Sequence, residues 1–319
     1  MIVVGGITRL THSGLSIVEW QPLIGAIPPL SDADWNALFE KYKQTPEYRR
    51  VNAGMTLEGF KGIFWWEYLH RLLGRLIGVA FLVPYLWFLA RGAIRGSLAW
   101  KLAAIFFLGG LQGAMGWYMV KSGLVEDPRV SHFRLTAHLG LAFVILAAMF
   151  WVALGLVQPR LRAAGDRMAK GLAHGVVFLV FLMVLSGGLV AGLRAGKAYN
   201  TFPLMNGHWI PPEILQLEPW WRNIFWNIAT VQFDHRVVAW LLAFLVPLLW
   251  WRCRNTEAKL AASVLLALLV LQIVLGISTL LLSVPVVLGV AHQGVASLVL
   301  CAAIWTMHSL KGTSNFGGS

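Results

Sequence analysis

Seven apolar runs, each eighteen residues or longer, alternate with connections, and this alternation decides what the chain can fold into. A bilayer core offers no water to backbone N–H and C=O groups, so each run has to satisfy its own hydrogen bonds as a helix. Roughly twenty apolar residues cross the hydrocarbon, and a run of eighteen is already a candidate. The runs fall at about 68–90, 98–120, 133–157, 171–193, 234–251, 260–283 and 286–308. With 58% hydrophobic and 13% charged residues, the chain is expected to be an all-α integral membrane protein whose first partner is the lipid bilayer. The net charge of +12 comes largely from short linkers: 91–101 (Arg91, Arg95, Lys101), 159–170 (Arg160, Arg162, Arg167, Lys170) and 252–259 (Arg252, Arg254, Lys259). Such charge orients a membrane protein rather than binding nucleic acid, and it assigns these linkers to the cytoplasm. Segments 8–66 and 194–233 then face outward, and the C-terminus with Lys311 is cytoplasmic. The two cysteines, Cys253 and Cys301, imply neither a disulfide framework nor a thiolate metal site.

Self-similarity reveals the internal organisation. "AHLGLAFVILAAMFW" from Ala137 matches "AHQGVASLVLCAAIW" from Ala291, and "LQGAMG" from Leu111 matches "LQIVLG" from Leu271. Each copy runs Gly-Gly, His-Arg, Gln-x-x-x-Gly, Ala-His-x-Gly: Gly5-Gly6, His70-Arg71, Gln112 and His138 in one, Gly187-Gly188, His235-Arg236, Gln272 and His292 in the other. A unit of four helices returns the chain to its starting side, so the copies are parallel repeats rather than inverted ones. The expected division is 1–157 for the first repeat, 158–170 for a cytoplasmic linker, 171–310 for the second repeat and 311–319 for a tail. Copy two has sixteen mostly apolar residues, Gly171 to Ser186, before its Gly-Gly, whereas copy one has four, so its first helix is expected to be missing or cut short.

The repeat singles out four histidines. His70, His138, His235 and His292 each lie near the outward end of a helix, two per copy, an arrangement suited to clamping one planar cofactor between facing imidazoles in each bundle. Zinc and copper sites usually gather three or four ligands, often including thiolates or carboxylates. Two imidazoles per bundle suit haem iron better. His12, His132, His174, His208 and His308 lack repeat partners and read as packing or surface residues. Gly116, Gly140, Gly276 and Gly294 either let a porphyrin face approach or serve small-residue helix packing. Arg71 and Arg236 either pair with haem propionates or snorkel to the interface. The segment "PWWRNIFW", Pro219 to Trp226, reads as an aromatic belt or as a lid over a haem edge.

Two axial imidazoles leave no open position on the iron. Such a haem either carries electrons or is itself modified at the edge of its ring. The repeats differ at one telling place: Glu67 stands three residues before His70, and Gln232 three before His235. A lone acid there would read as a helix cap or surface group. Set against an amide in a matched copy, Glu67 becomes the candidate for proton transfer.

The motifs "GGITRLTHSGLS", "WEYLHR", "AHLGLA", "YNTFPLMNG", "QFDHR" and "AHQGVA" together resemble the haem A synthase family, in its mitochondrial and alphaproteobacterial-like form. The resemblance spans essentially the whole chain. It implies an eight-helix protein of two four-helix bundles in the inner membrane that converts the C8 methyl of haem O to the formyl of haem A for cytochrome oxidase. It implies His235 and His292 as ligands of a resident haem b, His70 and His138 as ligands of the substrate haem O, and Glu67 as the essential acid. Implied partners are the haem O synthase and oxidase assembly factors; self-association in the bilayer stays open. Some members carry paired cysteines in the outer loops, and this chain has none there. Two other functions use the same four histidines: a di-haem b electron-transfer protein and a haem transporter or chaperone. The first gives no reason for an acid in one copy only, and the second calls for polar residues deep in the helices.

Overall fold

The computed structural model describes residues 1–21, 24–124, 130–158 and 167–311. Most of the 158–170 linker, with Arg160 and Arg162, and nearly all of the 311–319 tail lie outside the described residues. Among the described residues the chain is helical, with a single isolated β-bridge between Met205 and His208. All seven expected spans are present: α4 (Leu57–Ala90), α5 (Gly96–Gly123), α6 (His132–Val157), α7 (Arg167–Gly192), α10 (Ile228–Cys253), α11 (Lys259–Leu281) and α12 (Val286–Ser309). A nine-residue α1 (Ile2–Leu10) carries the first Gly-Gly. Short helices α2 (Asp32–Lys43), α3 (Pro46–Arg50), α8 (Ala195–Ala198) and α9 (Asn223–Trp226) lie in the connecting segments.

Two spans begin earlier than their apolar runs. The Thr56 hydroxyl accepts from Gly59 N at 3.2 Å and starts α4 well before residue 68. The Asn227 side chain accepts from Ala229 N and Thr230 N at 2.9 and 3.2 Å and starts α10 before residue 234. These caps satisfy orphan N–H groups of the first turn, so the helix can be polar there. Glu67 therefore lies about three turns inside α4, not at its cap. Glu67 and His70 share one continuous helix, as do Gln232 and His235.

The chain forms two compact units, Met1–His138 and Leu139–Ser319. In the second, α7 packs on α10 and α12, and α11 packs on α10 and α12. Its core is small and aliphatic. On α7 the buried residues are Ala169, Ala173, Val176, Val180, Val184 and Gly188, every third or fourth position and thus one helix face. Leu242, Val246 and Leu249 of α10, Leu265 and Leu269 of α11, and Leu300 and Ala303 of α12 complete it. Large apolar residues such as Phe178, Trp240 and Phe244 point outward, as expected where lipid is the solvent.

In the first unit α1 and α5 pack on α4, and α2 packs on its polar extension. Helices α2 and α3 lie within segment 8–66, outside the long apolar runs. Ser31 and Asp34 form a reciprocal capping box at the start of α2, and Thr45 with Pro46 starts α3. Between them and α4 lies an aromatic cluster of Trp35, Phe39, Tyr42, Phe60, Phe64 and Tyr68. Trp35 meets Phe64 edge-on at 4.9 Å, and Tyr42 lies 5.2 Å from Phe60 between ring centroids. Burial, more than any neighbouring charge, pushes the Tyr42 phenol up to about 12, while its oxygen accepts from Asn52 Nδ2 at 2.7 Å. Phe60 is fully buried at the centre. Phe60→Ala is expected to cost this cap about 3–5 kcal/mol, measured as faster proteolysis within 24–56 in detergent, with α10–α12 still protected.

Candidate functional site

Each of the four repeated histidines rests against a glycine of a neighbouring helix. A Cβ built on Gly5 would lie 3.0 Å from His70 Cε1, and one on Gly116 3.2 Å from His138 Cε1. In the second unit the same contacts are Gly187 with His235 at 3.3 Å and Gly276 with His292 at 2.9 Å. A larger residue at any of these positions would crowd the ring, so Gly116 and Gly276 seat imidazoles. Gly140 instead meets Leu185, whose Cδ2 would be 2.7 Å from an added Cβ, an ordinary helix-packing role. His138 lies within electrostatic reach of His70, and His292 within reach of His235. The structure thus brings the four candidates together as two pairs, one in each unit.

The ring nitrogens are differently supported. Gln112 places its amide nitrogen 3.3 Å from His138 Nε2 and donates to the His138 carbonyl at 3.0 Å. Gln272 lies 3.4 Å from His292 Nε2 in the same way. The Nδ1 atoms of His70, His138 and His292 are sealed from the surface with no hydrogen-bond partner, whereas His235 Nδ1 meets Ser186 Oγ at 2.8 Å. In the sequence the glutamines are repeat markers only, and Ser186 carries no signal beyond its place before Gly-Gly. Of the unrepeated histidines, His174 bonds the Lys170 carbonyl and His308 packs edge-on to Trp151.

Glu67 and Gln232 hold equivalent segments. Glu67 is 2% exposed; its Oε2 accepts from Ser16 Oγ at 2.7 Å and Ile17 N at 2.8 Å, and its Oε1 pairs with Arg71 at 2.5 Å. Arg71 also donates to the carbonyls of Ile17 (2.9 Å) and Glu19 (3.3 Å). In the second unit Gln232 donates to the Tyr199 carbonyl at 2.9 Å, and Arg236 donates to the carbonyls of Thr201 (2.8 Å) and Pro203 (3.1 Å). Both arginines therefore tie down the chain that follows the Gly-Gly helix, a role distinct from snorkelling. Burial, then the Glu213 carboxylate that its hydroxyl meets at 3.0 Å, raise the Tyr199 phenol. Beside Arg71 opens a cavity of about 290 Å³, lined by Val18, Glu19, Trp20, Trp117, Val120, Lys121 and Leu124. Arg71 stacks on Trp20 and Lys121 on Trp117, so the cavity combines two cations with two indole faces.

Chemically, each pair offers two neutral-type nitrogen ligands and no thiolate. No three His, Cys, Asp or Glu side chains cluster to hold a metal among the described residues. The fold and site define a multi-pass helical membrane protein carrying an internally duplicated pair of helix-borne imidazoles.

Residues 1–304 match the COX15-CtaA family model, described as cytochrome oxidase assembly protein. The chain is 61% identical over 318 residues to "Heme A synthase" of Nitrosospira multiformis, covering 98% of this chain and 89% of that protein. It is 57% identical to the protein of the same name from Nitrosomonas eutropha (98% and 90% covered) and 51% identical to that of Paramagnetospirillum magneticum (97% and 89%). The chain belongs to the COX15-CtaA family of cytochrome oxidase assembly proteins.

The glycine seats can be tested directly. Gly276→Ala is expected to destabilise the protein by about 1–3 kcal/mol through overpacking against His292. Gly175→Ala, on α7 with open space around it, is expected to stay within about 0.5 kcal/mol of wild type. Thermal unfolding in detergent compares the two.

Proposed function

We propose that the chain is a haem A synthase, oxidising the C8 methyl group of haem O to the formyl group of haem A in its N-terminal repeat. The observation that carries this reading is a duplicated seat with an unduplicated acid. Glycine-seated imidazole pairs recur in both units, while the residue one turn before the first histidine is Glu67 in one and Gln232 in the other.

The residues fit haem. Each unit offers two imidazoles from different helices, and among the described residues no thiolate or third His, Cys, Asp or Glu joins them, a donor set that suits haem iron better than zinc or copper. His138 and His292 would hold iron through Nε2, and the amides of Gln112 and Gln272 would then give up their contact with that nitrogen. His235 and His292 would hold a resident haem b, which when bound supplies one-electron transfer away from the reaction.

Haem O is the substrate, with His70 and His138 as its ligands. The oxidation is at the ring edge. Methyl to carbinol and carbinol to geminal diol would each take up one water oxygen and release two protons and two electrons, the electrons leaving one at a time through the haem b that His235 and His292 would hold. The diol then loses water to give the formyl. Glu67 moves protons in these steps. A proton taken at Oε1 breaks the pair with Arg71, leaving that guanidinium held by the Ile17 and Glu19 carbonyls. Ser16 and Ile17 keep Oε2 fixed meanwhile. The cavity beside Arg71 and Lys121 suits the propionate edge of the substrate, two cations offering charge-assisted bonds to carboxylates. In the cell the histidine-bearing ends face outward across the inner membrane, with Arg91, Arg95, Lys101, Arg252, Arg254, Lys259 and Lys311 on the cytoplasmic side. A haem O synthase supplies the substrate, and oxidase assembly factors receive the product.

Extraction and identification of haems after expression with and without a haem O source tests the reaction: haem A only with that source is expected, and haem b alone would favour an electron-transfer protein instead. His235→Ala and His292→Ala are each expected to abolish the low-spin haem b spectrum, since no neutral neighbour replaces an axial imidazole. Glu67→Gln is expected to keep that spectrum while lowering haem A formation about 10²–10⁴-fold or stalling it at the alcohol. Near wild-type product from a stable Glu67→Gln protein would leave Glu67 only its tethering role.

A further inference from the structure

The serine before the second Gly-Gly separates the two imidazole pairs. Ser186 Oγ lies 3.0 Å from the Met183 carbonyl and 2.8 Å from His235 Nδ1. A serine hydroxyl has one proton, and a carbonyl can only accept, so that proton goes to Met183. With that proton on the Met183 carbonyl, the serine lone pairs are left to accept from His235, an arrangement that suits the tautomer with its proton on Nδ1 and its lone pair on Nε2. That is the tautomer an iron ligand requires. The adjacent Gly187 lets the ring come close enough for the bond, its Cβ position being 3.3 Å from Cε1.

In the first repeat the matching residues are Val4-Gly5. Gly5 seats His70 in the same way, but valine has no hydroxyl, and His70 Nδ1 is buried without a partner. No hydrogen bond at Nδ1 selects the tautomer of that ring. A metal-bound histidine normally gives its second N–H to an acceptor, which orients the ring and strengthens it as a donor.

We propose that Ser186 is a positioning residue that locks His235 as a permanent iron ligand, and that valine at position 4 leaves His70 unlocked so that its haem can exchange. This rests on the reading of His235–His292 as the resident haem b site and of His70–His138 as the substrate site. The lock explains how two near-identical seats can differ in lifetime: one keeps its haem, the other releases product each turnover.

The test uses the purified full chain carrying haem b, with Ser186→Ala, Ser186→Thr and Val4→Ser. Haem loss to excess apomyoglobin gives affinity, and a redox titration of the low-spin band gives the midpoint potential. Ser186→Ala is expected to weaken haem b binding about 10–100-fold and to raise the midpoint potential, because the imidazole loses the acceptor that made it a stronger donor to ferric iron. Ser186→Thr, which keeps the hydroxyl, is expected to restore both. Val4→Ser, read in a His292→Ala background so that the remaining haem sits on the first pair, is expected to slow haem loss. Wild-type affinity and potential in Ser186→Ala overturn the lock, as does an equal loss in Ser186→Thr or a weakened site with unchanged potential, either of which assigns the serine to packing. Unaltered haem loss in Val4→Ser overturns the exchange role of position 4. If His235→Ala and His292→Ala both retain the wild-type low-spin spectrum, the haem b assignment itself fails, an outcome separable from failure of the lock.

Discussion

A histidine ring pressed against a helix backbone is the contact on which both units depend. Lipid obliges each span to satisfy its backbone within itself, so a helix has nothing to offer a polar ring except its surface. Glycine removes the one atom that would hold the ring off. At Gly5, Gly116, Gly187 and Gly276 an added Cβ would come within 2.9–3.3 Å of an imidazole carbon. The histidine rings are thereby held close against the neighbouring helix.

Around these seats the two units use different chemistry for one mechanical task. Each ties the chain after its Gly-Gly helix to the helix that bears the first histidine, through an arginine and a partner three residues before that histidine. In one unit the partner is a buried carboxylate with three donors, and in the other an amide donating to a carbonyl. The amide shows that tethering alone does not need an acid. A buried ion pair is costly to assemble and costly to break, and it is present in only one of the two tethers.

Much of the fold was legible because lipid demands long apolar runs, and the runs mark all seven spans. Their polar beginnings were not, since whether a helix continues into polar residues depends on caps such as Thr56 and Asn227 and on what packs there. Helices α2 and α3 escaped notice for a related reason: short helices in a mixed segment have weak periodicity, and the aromatic cluster that stabilises them comes partly from α4. Ser31 with Asp34, and Thr45 with Pro46, were the available start signals. At the candidate site the four histidines and the Glu67–Gln232 difference could be read from the repeat, whereas the tethering by Arg71 and Arg236 could not.

The amino-acid sequence by itself determined the membrane class, the seven long apolar helices and the duplication that singles out four histidines, because hydrophobic run length and internal repetition are properties of the linear chain. Only the tertiary structure decided which atoms meet those histidines. Glycines lie under the rings, glutamines at two of the Nε2 atoms and a serine at one Nδ1, and each of these contacts joins residues from different helices. The distance between a glycine on one helix and a ring on the next is set by how the helices pack, and linear spacing carries no record of it.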